Sequence, residues 1–226
     1  MFMILIAIAL IGLLTAVISN SNSTDNSDID GETLTIRASE VQRYASELER
    51  GINYIMQNGV SESDIRFAIP TDTANATGYG DDGDVNTNPQ AQMFHPNGGG
   101  ATYRDPPQNI QSTVSAWEFY GGTRIPGAGT NRADLIAVLP NVTAQFCQKI
   151  NEINGQSATP AEDGSGNINA GVAARFGSGG TTVTFDDSTP NTLNTGSFSK
   201  IPALQACVTV AGSPAEYHFY HVIMPR

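Results

Sequence analysis

The stretch MFMILIAIALIGLLTAVISNSNSTDN, residues 1–26, decides how the rest of the chain can fold. Residues 1–18 carry no charged side chain, and the first basic residue of the chain is Arg37. A helix over residues 1–18 is about 27 Å long, close to the roughly 30 Å hydrocarbon core of a bilayer. The stretch therefore predicts a helix that must be enclosed by lipid or by protein on every side.

Four interpretations of residues 1–18 compete. A secretory signal peptide begins with a charged segment and ends in small residues such as A-x-A, and both features are missing. A conventional membrane anchor carries Lys or Arg on its cytoplasmic flank, and a core helix that is apolar all round needs protein all round. In the fourth interpretation, which we favour, removal of a basic leader exposes Met1, and identical helices later bury the segment in a filament. Gly12 and Ala16 form a small-xxx-small pair that lets helices approach closely.

Two further segments follow the apolar helix. Residues 19–31 are rich in Ser, Asn and Asp, which compete with a helical backbone for hydrogen bonds and predict an extended or melted linker. Residues 32–58 predict an amphipathic helix, because apolar side chains recur at helical spacing until Asn58-Gly59 ends it. The apolar face of this helix consists of Val41, Tyr44, Ala45, Leu48, Ile52, Ile55 and Met56.

Residues 59–226 predict a globular head. The segment 70–112 has few apolar residues, so we interpret it as surface loops. A second helix is expected over 141–153, with Val142, Phe146, Ile150 and Ile153 facing inward. Strands are expected at Ser112–Tyr120, Leu135–Leu139, Thr181–Phe185, Cys207–Val210 and Glu216–Ile223.

Charge and cysteine content limit the functions that this chain can have. Its 226 residues carry a net charge of -11, which argues against a nucleic-acid-binding surface because such a surface is basic. The two cysteines, Cys147 and Cys207, fit either one disulfide in an exported protein or two buried free thiols.

Three features together resemble a type IV pilin: MILIAIALIGLLTAVIS, SEVQRYASELERGINYIMQNG and the pair of cysteines. Met1 and the sequence VTAQFCQKIN around Cys147 are most similar to the type IVb branch. The resemblance implies an α+β fold with a long N-terminal helix, apolar and then amphipathic, and an antiparallel β-sheet head with one disulfide, Cys147–Cys207. It also implies that residues 148–206, which the disulfide encloses, face the environment.

The resemblance implies a function as well. The chain would be a structural subunit of an extracellular filament on the cell surface that serves adhesion, motility, or DNA or cell contact. Its partners would be further copies of itself, the assembly machinery of the inner membrane and, before assembly, that membrane. The residues expected to pack in the filament core are Met1, Phe2, Ile4, Leu5, Ile8, Gly12, Leu13 and Ala16.

Position 5 departs from the family pattern. Type IV pilins usually carry Glu there, whereas this chain has Leu5, and its first acidic side chain is Asp25. The departure is compatible with a minor subunit at a filament tip, or with a filament in which helix packing alone sets the register.

An acidic turn in the head suggests a cation site. Oxygen-bearing side chains alternate at Asp82, Asp84, Asn86 and Asn88, as in the first half of a calcium-binding loop. The second half of such a loop is missing, because Thr87 stands where Gly is needed and Met93 where a bidentate Glu is needed. A solvated acidic turn is the alternative, and we expect no other cofactor.

The sequence predicts no catalytic centre. It contains no nucleophile elbow and no phosphate-binding loop, and His218 and His221 are three apart in a predicted strand, so they should face opposite sides. Two other functions remain open beside the filament subunit: a membrane-tethered periplasmic binding module and a pseudopilin of a secretion system. The lack of flanking basic residues favours the filament over the tethered module.

Overall fold

The structure, a computed structural model, describes residues 31–163, 168, 185–188, 190–193, 195–210 and 216–226. The chain divides into two compact units, Met1–Thr33 and Leu34–Arg226. The predicted apolar helix 1–18 and nearly all of the predicted linker 19–31 lie outside the described residues. Within the described part of the chain, no helix is both long and apolar enough to cross a lipid bilayer.

Helix α1 spans Gly31–Gln57, where the sequence predicts a helix over 32–58. It ends at Asn58-Gly59, because Gly59 adopts a φ of 84°, which glycine reaches without strain. Met56, predicted to face inward, is only half-buried. The buried positions recur every three or four residues, as on one face of a helix, and are Leu34, Ala38, Val41, Tyr44, Ala45, Leu48, Gly51, Ile52 and Ile55.

The described residues form one six-stranded sheet and a second, shorter helix. Helix α2 spans Ala144–Ile153, and the Thr143 hydroxyl caps it by accepting a hydrogen bond from the Phe146 N–H at 3.2 Å. The strands are β1 Glu118–Arg124, β2 Asp134–Leu139, β3 Ala161–Asp163, β4 Asn191–Thr192, β5 Gln205–Val210 and β6 Glu216–Met224. They are ordered β3-β5-β6-β2-β1-β4 across the sheet.

The predicted fold class, with a long N-terminal helix and an antiparallel sheet, is wrong because the sheet is mixed. The inner strands β5, β6, β2 and β1 pair antiparallel, but β3 runs parallel to β5 and β4 runs parallel to β1. The helices of the described residues are α1, with 27 residues, and α2, with 10. Neither is the long helix, apolar and then amphipathic, that the resemblance implies.

The parallel edge strands, β3 and β4, could not be recognised in the sequence because they are too short. β3 has the three residues AED and β4 the two residues NT, whereas an alternating pattern is recognisable only over about four to eight residues. The other strand predictions fare unevenly. Leu135–Leu139, Cys207–Val210 and Glu216–Ile223 lie within strands, while Thr181–Phe185 falls outside the described residues except for Phe185.

Strand β1 and the end of α2 also differ from the prediction. β1 begins at Glu118 rather than Ser112 and continues through Gly121-Gly122, where its register with β2 shifts. A strand accommodates such a glycine pair at an irregularity of this kind, so the glycines do not mark a turn. Ile153, expected to face inward, is 43% exposed.

Both faces of the sheet are buried. One face contacts α1: Trp117 lies between Tyr44 of α1 and Phe219 of β6, with ring centroids 5.4 and 6.4 Å away. The opposite face forms a separate apolar cluster centred on Tyr120, Ile136, Val138, Val208, Tyr220 and Val222. Alternating side chains of β2 and β6 therefore supply two cores, which explains why β2 is buried along its whole length.

A buried side chain closes each edge of the sheet beyond its short parallel strand. At one edge, the Asn151 amide of α2 donates to the Cys207 C=O at 3.0 Å and accepts from the Cys207 N–H at 2.7 Å. At the other edge, the Tyr79 hydroxyl donates to the Phe119 C=O at 3.1 Å and accepts from the Phe119 N–H at 2.7 Å. Each side chain thus provides the donor and the acceptor that a neighbouring strand would provide.

Candidate functional site

The outward face of α1 carries two large apolar side chains. Ile36 is 53% exposed and Tyr54 is 52% exposed. Eighteen residues separate them, which is five helical turns, so they point in the same direction about 27 Å apart. The opposite face of α1 is held on the sheet, so this outward stripe is a fixed surface of the molecule.

Some charged side chains along this face form ion pairs and others do not. Arg37 binds Glu40 at 2.9 Å on the helix itself, and Glu47 binds Arg104 of a distant loop at 2.9 Å. Arg43 and Arg50 are exposed and form no ion pair or hydrogen bond with any residue that the structure describes. Because Arg104 occupies Glu47, the helix face keeps two unpaired guanidinium groups between Ile36 and Tyr54.

A cleft of about 250 Å³ lies beside this face. The Tyr44 hydroxyl at its wall accepts a hydrogen bond from the Arg104 N–H at 3.3 Å, and the Arg104 guanidinium lies 5.8 Å from the Tyr44 ring centre. Burial raises the pKa of Tyr44 well above its ordinary value, so the hydroxyl stays protonated. The cleft is lined by Glu40, Val41, Arg43, Tyr44, Arg104, Asp105, Pro107 and Trp117.

Charged groups of both signs line the cleft. Its two guanidinium groups, from Arg43 and Arg104, are balanced in charge by the carboxylates of Glu40 and Asp105. Nε1 of Trp117 is buried and has no hydrogen-bond acceptor among the described residues. The walls are therefore partly aromatic and nearly neutral in sum, which suits a small polar group.

The two histidines of β6 contact different groups, as expected for side chains on opposite sides of a strand. Nε2 of His221 lies 3.3 Å from Oε2 of Glu49 on α1, whereas Nδ1 of His218 accepts a hydrogen bond from the Asn141 N–H at 3.4 Å. Burial lowers the pKa of both imidazoles, although neighbouring carboxylates oppose the shift. Both rings are thus neutral near pH 7, and His221 links α1 to the sheet.

The remaining predicted site residues are distributed as follows. Cys147 of α2 and Cys207 of β5 form a disulfide, with Cα atoms 5.2 Å apart. This disulfide joins α2 to the strand whose edge Asn151 closes. The predicted filament-core residues lie outside the described part of the chain: Met1, Phe2, Ile4, Leu5, Ile8, Gly12, Leu13 and Ala16.

The four residues of the predicted calcium loop have different local settings. Asp84 and Asn86 lie in a short 3-10 helix, and Asp84 accepts a hydrogen bond from the Asp81 N–H at 3.3 Å. Asn88 takes a left-handed conformation with φ of 51°, and the Asp82 side chain is exposed. Within the described residues, no three His, Cys, Asp or Glu side chains are placed to hold a metal ion. The geometry gives the calcium prediction no support.

A different carboxylate organises this loop. Asp72 accepts hydrogen bonds from the N–H groups of Ala74, Ala76 and Thr77, and from the Thr77 hydroxyl at 2.8 Å. Burial opposes ionisation of Asp72, but these hydrogen bonds outweigh it and lower its pKa to about 2. The sequence analysis missed Asp72, Tyr79 and Asn151. An Asp followed by Thr and Asn residues in a loop is the one local signal that indicates such a turn.

Comparison of the chain with protein-family models, with curated proteins and with solved structures finds no match. The function of the chain is therefore inferred from its sequence features and from the geometry described above.

Proposed function

We propose that this chain is a structural subunit of an extracellular filament of the type IV pilus kind, polymerising through residues 1–18. One observation carries the proposal. The uncharged apolar segment 1–18 precedes a helix, α1, that is fixed to its sheet on one face and leaves Ile36 and Tyr54 half-exposed on the other. In a filament, the apolar segments pack together and the outward face of α1 contacts neighbouring copies. The inner membrane and its assembly machinery hold the subunit beforehand.

The energetics of residues 1–18 support a polymer. Burying an apolar helix of this size removes on the order of 1,500 Å² from water, which at about 25 cal/mol per Å² is tens of kcal/mol before ordering costs. A free monomer in water would have to forgo that burial. Only a membrane or the interior of a fibre encloses such a segment on every side.

Two backbone positions of the sheet are closed to a further strand. Sheets polymerise by adding strands at open edges, where unpaired N–H and C=O groups are available. At Cys207 and Phe119 those groups already bind Asn151 and Tyr79. A further strand therefore cannot pair with the sheet at these two positions.

The first test is to shear the surface of the source cells, image the released material by electron microscopy, and identify its subunit by mass spectrometry of the N-terminal peptide. We expect long fibres that consist mainly of this chain. Leu13→Arg should abolish the fibres because it places a charge in the apolar segment, whereas Ser21→Arg, in the polar linker, should leave them intact. A chain that stays in the membrane fraction as a monomer would refute the proposal.

The cleft beside α1 favours a second candidate, a membrane-tethered periplasmic binding module. Its partly aromatic walls and balanced charges suit a small polar ligand. This function needs no fibre, so the shearing experiment distinguishes the two. A monomer retained with the membrane supports the module, and sheared fibres of this chain exclude it as the principal function.

A further inference from the structure

We propose that the outward face of α1 is a docking surface for the acidic loop of a second copy of this chain. The surface consists of Ile36, Arg43, Arg50 and Tyr54, and the acidic loop consists of residues 70–84. The inference deepens the proposed filament function and rests on it. It assigns a contact between neighbouring subunits that lies outside residues 1–18.

Unpaired positive charge on α1 is the first observation. In a chain with a net charge of -11, Arg43 and Arg50 are exposed and have no anionic partner among the described residues. Seven residues separate them, so the guanidinium groups lie on one side of the helix about 10 Å apart along its axis. Arg37 and Arg104, by contrast, each bind a carboxylate at 2.9 Å.

The complementary surface lies in the loop. Between Arg66 and Arg104 the sequence contains no Lys or Arg, but it contains four Asp residues. Asp82 is exposed and makes no ion pair with a described residue, and Asp81 uses only its Oδ1 oxygen, as acceptor from the Gly83 and Asp84 N–H groups. Asp72 is committed to its own turn. Asp84 likewise uses only Oδ2, as acceptor from the Asp81 N–H. Asp81, Asp82 and Asp84 are therefore the carboxylates with an oxygen left for a partner.

Apolar side chains at both ends of the helix face favour a protein partner. Ile36 and Tyr54 flank the two arginines and add apolar area that inorganic anions do not need. A tyrosine and arginines on one surface are typical of protein interfaces. An anionic membrane is a weaker partner, because the chain as a whole is strongly acidic.

The arrangement of the two surfaces determines the kind of assembly. The arginine face and the acidic loop are different parts of the same chain, so their contact is heterologous rather than self-complementary. A heterologous contact that does not close into a ring continues as a helical filament. This is the geometry that a pilus-like fibre requires.

The test uses the full chain, solubilised in detergent and polymerised by detergent removal, with the critical concentration measured by sedimentation. Arg43→Glu with Arg50→Glu should raise the critical concentration about tenfold, because the change breaks two exposed ion pairs and places like charges opposite each other. Asp81→Lys with Asp82→Lys should do the same, and all four changes together should restore the wild-type value. High salt should weaken wild-type assembly.

A matched variant controls for net charge. Lys149→Glu with Lys200→Glu makes the same change in charge at residues outside both surfaces, and should leave the critical concentration unchanged. Circular dichroism of every variant verifies the fold. If wild type polymerises and the arginine variant does so equally well, or if the charge swap restores nothing, the docking proposal is wrong while the filament proposal stands. If wild type forms no polymer, the filament proposal itself fails.

A second experiment, with lipid vesicles, tests an anionic membrane as the alternative partner. Vesicles that contain an anionic phospholipid should bind wild type and the arginine variant equally. Loss of vesicle binding by the variant, with polymerisation unchanged, would assign the arginine face to the membrane and overturn the proposal.

Discussion

At each edge of the sheet a side chain binds backbone groups that no strand pairs, but the two side chains are held in place differently. At the β5 edge, Asn151 lies on a capped helix that the Cys147–Cys207 disulfide ties to the very strand it protects. At the β1 edge, Tyr79 lies in a loop that has no covalent tie and is organised by the carboxylate of Asp72. An amide and a hydroxyl each satisfy one backbone N–H and one C=O.

An edge can be closed without a long strand, provided that the closing side chain is itself held in place. A buried backbone group that loses its partner costs about 1–3 kcal/mol. The β5 edge secures its partner covalently and the β1 edge electrostatically. The two edges should therefore respond differently to reduction, to substitution and to acid.

The largest effect should follow from cutting the covalent tie. Cys147→Ala with Cys207→Ala should lower the free energy of unfolding by about 4 kcal/mol, because the disulfide closes a loop of 60 residues. The measurement is urea unfolding of the detergent-solubilised chain, followed by fluorescence of Trp117, its only tryptophan. Reducing the wild type should cause the same loss. An unchanged unfolding midpoint would show that packing alone holds the β5 edge.

Removing the amide at the β5 edge should cost slightly less. Asn151→Leu leaves the Cys207 N–H and C=O buried without partners, so we expect a loss of about 3 kcal/mol. Gln148→Leu makes a similar amide-to-leucine change on the exposed side of α2 and should shift stability by less than about 0.5 kcal/mol. The same unfolding assay compares them, and equal losses in both variants would contradict the role of Asn151.

At the β1 edge, Tyr79→Phe removes only a hydroxyl. We expect a loss of about 2 kcal/mol, because the Phe119 N–H and C=O lose their shared partner while the ring continues to fill its place. Tyr54→Phe, on the exposed face of α1, is the control and should be nearly neutral. Amide hydrogen exchange at Phe119 should speed up in Tyr79→Phe alone, and slow exchange there would mean that another group closes this edge.

Acid should have the smallest effect of these changes, and it should weaken the β1 edge before the β5 edge. The pKa of Asp72 is lowered from 3.8 to about 2, so the stability that its carboxylate contributes is complete above about pH 4 and is lost as the pH falls through about 2. Amide protection, measured by NMR from pH 5 to pH 2, should fall at Phe119 before it falls at Cys207. Asp72→Asn should weaken Phe119 protection already at pH 5. Simultaneous loss at both amides would remove the distinction between the edges.

Periodic and strongly apolar segments could be predicted from the sequence, but contacts between distant residues could not. The face of α1 and the buried run of β2 follow from local spacing. Asn151 and Cys207 are far apart in the chain, as are Tyr79 and Phe119, so no local pattern links them. β3 and β4 could not be predicted because segments of three and two residues are too short to show a period.

The candidate site, too, depends on a contact between distant residues that local spacing does not predict. Local spacing would pair Arg43 with Glu47, four residues on, by the usual helical rule. In the structure, Arg104 arrives from a loop 57 residues away and takes Glu47, which leaves Arg43 unpaired. The unpaired charge on α1 is thus a property of the tertiary fold, although each of its residues is plain in the sequence.

The position of β6 has a consequence for how the head is made. β6 is the last strand in chain order, yet it lies between β5 and β2 and pairs with both. During synthesis or export, the β1–β2 hairpin and β5 emerge first and have no strand to join them. The sheet is completed only when β6 makes its long-range pairing with β2, and sheets that depend on such pairing fold more slowly than those built from local contacts. Until β6 is made, the incomplete sheet exposes unpaired strand edges, which favour aggregation.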